Sequence, residues 1–234
     1  MPGGTFATAL LFGLGASAGL VIGALTGARL RVPRPLLATA LAFASGALIA
    51  AFAFELVEKP FEVAGPFVVS VGLFAGAAVF VVVDALLERV ARSGAGGGLL
   101  AGVTLDGVPE NIALGTSVAS GAGGVVLLIS IFVSNFPEAL SGAADMRSHK
   151  HSPRSVIGIW LGAAVLLTLA TIGGWLLSST LPPVTLAGLQ AFAGGAVLAS
   201  LADTVMPEAY REGGPWVAFA TATGFLLAFM LSTL

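Results

Sequence analysis

Leu105-Asp106-Gly107-Val108-Pro109-Glu110-Asn111 and Ser134-Asn135-Phe136-Pro137-Glu138-Ala139 each set a Pro-Glu pair in the middle of a long apolar segment. The sequence on both sides reads as membrane helix. A carboxylate at the bilayer centre costs at least about 2.5–3.5 kcal/mol even on a lenient insertion scale. Two of them, each beside a helix-breaking proline, call for a reason, and the passage of a cation supplies one.

The rest of the chain fits that setting. Of 234 residues only 9% are charged, and mean hydropathy is +1.01. Soluble domains carry roughly 25% charged residues, so an all-α polytopic membrane protein is expected. Cysteine is absent, which excludes disulfides and thiolate metal sites. No basic cluster points to nucleic acid. The first residues lack a charged leader and run straight into an apolar span, so a retained helix is expected there, not a cleaved signal.

Spans of about 20 apolar residues, the length a bilayer requires, lie near 5–28, 36–58, 66–90, 98–120, 123–146, 154–178, 184–208 and 215–234. That predicts eight transmembrane helices in a single transmembrane domain, 1–234, with the lipid bilayer as its solvent. Placing the N-terminus outside puts Arg29, Arg31, Arg34, Arg89, Arg92, Arg147, Lys150, Arg154 and Arg211 in inner loops and only Lys59 in an outer one. The positive-inside rule then predicts extracytoplasmic termini in a cell membrane.

A shift of 149 residues brings landmarks of the chain onto one another. Pro33 meets Pro182, Ala42-Phe43-Ala44 meets Ala191-Phe192-Ala193, Gly46-Ala47 meets Gly195-Ala196, and Gly65-Pro66 meets Gly214-Pro215. The first three spans (5–90) thus repeat as the last three (154–234), in opposite orientation because five spans separate the copies. Secondary transporters are often built from such inverted repeats, with a midplane site. The fourth and fifth spans (98–146) stand between the copies and carry the two Pro-Glu stretches. Gly15, Gly19, Gly23 and Gly27 line one face of the first span. They form a helix-packing seam or a homodimer face.

Helical spacing places Asp106, Glu110 and Ser117 on one side of the fourth span, with Asn111 flanking. It places Ser134, Glu138, Ser141 and Asp145 in a stripe on the fifth, with Asn135 three residues before Glu138. In lipid such faces turn toward each other or toward water. Each proline also frees a backbone carbonyl four residues back, that of Leu105 or Val133. Two facing glutamates cannot both carry charge cheaply without a counter-charge, and neither span offers a Lys or Arg beside them. A divalent metal cation held by Glu110 and Glu138, with Asp106 and Asn135 as further ligands, resolves this; a shared proton also does. Farther out, Glu55 marks either a cation entrance or a solvated helix end. Asp203 and Asp145 are candidates for the exit. His149 and His151 lie in a basic loop.

These features resemble the ZIP (Zrt/Irt-like) family of divalent metal transporters, above all its small bacterial GufA-like members. The likeness covers the whole chain: eight helices, outside termini, a 3+2+3 inverted-repeat bundle and both Pro-Glu motifs. The family's His-Asn-x-Pro-Glu-Gly stretch stands here as Asp106-Gly107-Val108-Pro109-Glu110-Asn111, and its second Pro-Glu stretch as Ser134-Asn135-Phe136-Pro137-Glu138. The resemblance implies that Glu110 and Glu138 bridge a binuclear site in the transport path, and that zinc, iron or manganese is the substrate with no organic cofactor. Asp106 takes the histidine position and can ligate through oxygen. Gly107 takes the asparagine position and cannot ligate through a side chain. Ser134 and Asn135 take the ligand positions before the second Pro-Glu pair. An oxygen-only set leans toward manganese.

Three readings follow. The first is a transporter of divalent metal into the cytoplasm, without ATP or enzymatic chemistry. The second is a degenerate member that binds or senses metal without moving it. The third, an intramembrane protease using Asp106 and Asp145, lacks a Gly-x-Gly-Asp, Gly-x-Ser-x-Gly or HExxH motif to support it.

Overall fold

The computed structural model describes residues 4–30, 32–92, 98–121 and 124–233. Every regular element among them is helical. The α-helices are α1 (Phe6–Gly27), α2 (Arg34–Phe52), α3 (Lys59–Arg92), α4 (Gly98–Ala119), α5 (Val125–Ser148), α6 (Pro153–Thr180), α7 (Pro183–Ser200), α8 (Met206–Gly213) and α9 (Val217–Ser232). Among the described residues, five continuous helical stretches are long and apolar enough to cross a membrane: Phe6–Gly27, Arg34–Leu87, Val125–Ser148, Pro153–Thr180 and Pro183–Ser232. These long apolar helices are those of a membrane protein.

Two of the five stretches, of 54 and 50 residues, are far longer than a hydrocarbon core of about 30 Å requires. Each is interrupted twice. A π-helical turn, Ala53–Glu58, joins α2 to α3, and a second, Leu201–Val205, joins α7 to α8. Beyond each π-turn comes a glycine in a conformation that side chains rarely adopt: Gly65 at φ 75° and Gly214 at φ 66°. Each of these glycines precedes a proline, and each pair bends the chain where the hydropathy pattern places a loop. The segments between π-turn and glycine are helical (Lys59–Ala64 and α8), where the sequence spans left loops over 59–65 and 209–214.

The chain folds as two compact units. The first holds Met1–Gly13, Phe52–Gly124 and Leu166–Ser200; the second holds Leu14–Ala51, Val125–Val165 and Leu201–Leu234. The unit boundaries at Ala51/Phe52 and Ser200/Leu201 are themselves 149 residues apart and fall at the two π-turns. Both units draw on the first three spans and on the last three.

Within the first unit α3 packs on α7 at backbone distance. A Cβ on Gly195 would meet the Leu73 carbonyl, and one on Gly76 would meet that of Phe192. Within the second unit α2 packs on α9 in the same way, Gly46 against the Thr221 carbonyl and Gly224 against that of Phe43. Gly46 and Gly195 are partners under the repeat, as are Phe43 and Phe192. Both interfaces depend on small residues, because lipid supplies no hydrophobic drive between helices and close backbone approach must do the work. Large apolar side chains point outward, Phe67, Phe74, Trp216 and Phe219 among them, while Ala9, Ala16, Ala24, Ala44 and Ala50 fill the interior.

Also in the second unit, α1 meets α5 through the glycine seam. Gly19, Gly23 and Gly27 face the carbonyls of Phe132, Phe136 and Leu140 in turn, and Gly15 faces the Leu128 side chain. The seam is thus a packing surface inside the chain. Arg147, near the end of α5, closes this contact by donating to the Leu30 carbonyl at 3.3 Å, at the C-terminus of α1.

Candidate functional site

In the first unit, α4 carries Pro109 in its interior. Glu110 follows at once and is only 4% exposed. A carboxylate is thus out of solvent just where the proline opens the helix ladder. The side chain of Asp106 lies outside the described residues. Gly107 is packed against α6: a Cβ there would sit 2.7 Å from Leu167 Cδ1. The resembled family's asparagine would not fit at this position without displacing Leu167.

Asn111 is fully buried and engaged at both ends. Its Nδ2 donates to the Gly107 carbonyl at 2.8 Å, and its Oδ1 accepts from the Thr171 hydroxyl of α6 at 3.0 Å. Spacing on the helix could place Asn111 beside the transport path but could not show that α6 already uses its oxygen.

Glu55 is not a solvated helix end. The π-turn carries it inward to 8% exposure. Ser117 of α4 donates to its Oε2 at 2.9 Å, and Lys59 Nζ lies 2.7 Å from its Oε1. A residue read as the one cationic group of an outer loop is helical and neutralises a buried acid of its own unit. Glu55 and Lys59 are four residues apart and share a helix face, and Glu55 lies within the π-turn.

In the second unit, Pro137 sits inside α5 and Glu138 is half-buried. Ser134, one turn earlier, donates to Glu138 Oε1 at 2.7 Å. Asn135 is 2% exposed, and its Nδ2 donates to the Ala16 carbonyl of α1 at 3.0 Å. The nitrogen end is therefore held by α1. The two asparagines beside the Pro-Glu pairs thus differ: Asn135 is held to α1 through its nitrogen, and Asn111 is held at both ends, by α4 and α6.

Farther along α5, Ser141 donates to Glu208 Oε1 on α8 at 3.2 Å. Ser141, Asp145 and Glu208 line a cavity of about 560 Å³ with Arg34, Arg147 and Glu212. The arginines there have other duties: Arg34 pairs with Glu212 at 3.4 Å, and Arg147 holds the end of α1. Asp145 is exposed, with His149 Nδ1 3.6 Å from its Oδ2. Asp203 stands exposed on the π-turn. The acid of this region that meets α5 is Glu208, which sequence reasoning passed over because it sits nearer the end of an apolar run. The Pro-Glu pair at Pro207-Glu208 was the available signal.

Among the described residues no three His, Cys, Asp or Glu side chains form a metal-holding group. No protein-family model matches the sequence, and no curated protein is similar to it.

Proposed function

We propose that the protein is a ZIP-like secondary transporter that carries divalent metal cations of the zinc, manganese and iron class across the cell membrane into the cytoplasm. In this reading each double-length helix crosses twice, α4 adds a crossing, and the chain spans the bilayer eight times as a 3+2+3 inverted-repeat bundle. The distribution of Lys and Arg puts both termini outside. Glu110 and Glu138 are the principal metal ligands, and Asp106 and Asn135 supply further oxygen.

One observation carries the reading. Two Pro-Glu pairs lie within two apolar helices, the Glu110 carboxylate buried and the Glu138 carboxylate half-buried, and a charge held at membrane depth is costly. A passing cation offsets that cost, and the proline break widens the space around the carboxylate. The repeated architecture and the polar cavity along Ser141, Asp145 and Glu208 fit an exit route. The oxygen-only ligand set favours manganese.

The test is uptake of Mn²⁺, Zn²⁺ and Fe²⁺ by cells or proteoliposomes. Wild type should take up at least one ion, and Glu110→Ala with Glu138→Ala should not. Equal uptake of every ion by both proteins would reject the proposal. The packing of Gly107 against Leu167 favours a second reading, a chain that binds metal without moving it. Saturable Mn²⁺ binding with no flux would select that one.

A further inference from the structure

The geometry points to Thr171 and Asn111 as a positioning pair that clamps α4 across its proline break and so fixes the Glu110 carboxylate. Proline at position 109 has no N–H to give the Leu105 carbonyl, so the helix ladder is open directly before Glu110. A helix opened in this way bends unless something holds it. Asn111 Nδ2 reaches back across the break to the Gly107 carbonyl at 2.8 Å. The Thr171 hydroxyl holds the other end of the same amide at 3.0 Å, and it also lies 3.2 Å from its own Leu167 carbonyl.

All the groups involved are out of solvent: Asn111 and Thr171 are both 0% exposed. Polar pairs so placed are held firmly, since a buried polar group left without its partner is costly. The backbones on either side leave no slack. A Cβ on Gly115 would meet the Thr171 carbonyl, and one on Gly174 would meet the Ile112 carbonyl. Helices α4 and α6 are thus in backbone contact at Ile112 and Gly115, just beyond the amide, and Gly107 meets the Leu167 side chain just before it. Glu110 is the residue between the proline and the clamp, so its carboxylate points where the clamp directs it.

This role rests on the transport reading for its purpose but can be tested without it. The experiment uses the full chain in detergent micelles, comparing wild type with Thr171→Val, Thr171→Ser and Asn111→Ala. Hydrogen–deuterium exchange reports on α4. The infrared carboxyl band that disappears in Glu110→Gln reports on Glu110. Loss of the free Mn²⁺ paramagnetic signal reports on binding.

Thr171→Val and Asn111→Ala should speed exchange in α4, shift the Glu110 band and weaken Mn²⁺ binding about tenfold, the loss typical of removing an outer partner of a metal ligand. Thr171→Ser keeps the hydroxyl and should restore all three. Unchanged α4 exchange or an unmoved Glu110 band in Thr171→Val overturns the inference, whether or not metal binds. Wild type that binds no metal while the band still shifts and recovers rejects the transport reading and upholds the clamp.

Discussion

Ser117 of α4 donates to Glu55 of the first π-turn at 2.9 Å, so an acid placed by sequence at a helix end is anchored two helical turns along the face that carries Glu110. Lys59 completes the arrangement at 2.7 Å. The unit therefore holds its own counter-charge at this point.

Removing the hydroxyl should expose how much the anchor contributes. Ser117→Ala leaves a buried carboxylate oxygen without its donor and should destabilise the protein by about 1–3 kcal/mol. The partly exposed Lys59 matters less, because water can replace it in part. Thermal unfolding in detergent, with Ser117→Thr as the rescue, measures both; a Ser117→Ala protein as stable as wild type would remove Glu55 from the list of anchored groups.

Restoring the asparagine of the resembled ZIP motif should not restore a ligand. Gly107→Asn drives a side chain into Leu167, and overpacking of this kind costs about 1–3 kcal/mol. Adding Leu167→Ala should recover stability by making room. Melting temperatures of the single and double variants decide the matter, and Mn²⁺ stoichiometry shows whether the double variant gains a second ion.

The glycines of α1 should not be equivalent. Gly23→Val pushes a branched side chain onto the Phe136 carbonyl, which is backbone and cannot step aside. Gly15→Ala meets only the end of the Leu128 side chain at 3.3 Å, which can turn away. The first should sharply lower folded yield and the second should leave it near wild type, as size-exclusion profiles would record.

Metal binding by carboxylates should weaken on acidification, since each proton taken up competes with the cation. Mn²⁺ affinity should fall as pH is lowered in wild type. In a Glu110→Gln, Glu138→Gln protein the dependence should flatten, and a slope unchanged by those substitutions would move the site elsewhere.

The small-residue helix contacts were legible because they depend on residues that lipid and close packing restrict to a few types. Gly65-Pro66 and Gly214-Pro215 marked the bends, and the predicted helix limits fall within a few residues of the observed ones outside the π-turns. The π-turns were not legible. An apolar run such as Ala50-Ala51-Phe52-Ala53-Phe54 has the same hydropathy whether it winds with four or five residues per hydrogen-bonded turn. The role of Asn111 was hidden for another reason: its partner Thr171 is on α6, and no local spacing connects them.

The carbonyls that α5 presents to α1 recur every four residues, at Phe132, Phe136 and Leu140, each opposite a glycine. Four residues of helix advance about 6 Å. Between those steps a sliding α5 would bring a side chain against a carbonyl where only hydrogen now fits. Relative travel of these two helices is therefore quantised like a ratchet: α1 and α5 move as one body, or slip by a whole notch. A cross-link between them should leave the first kind of motion intact and block the second.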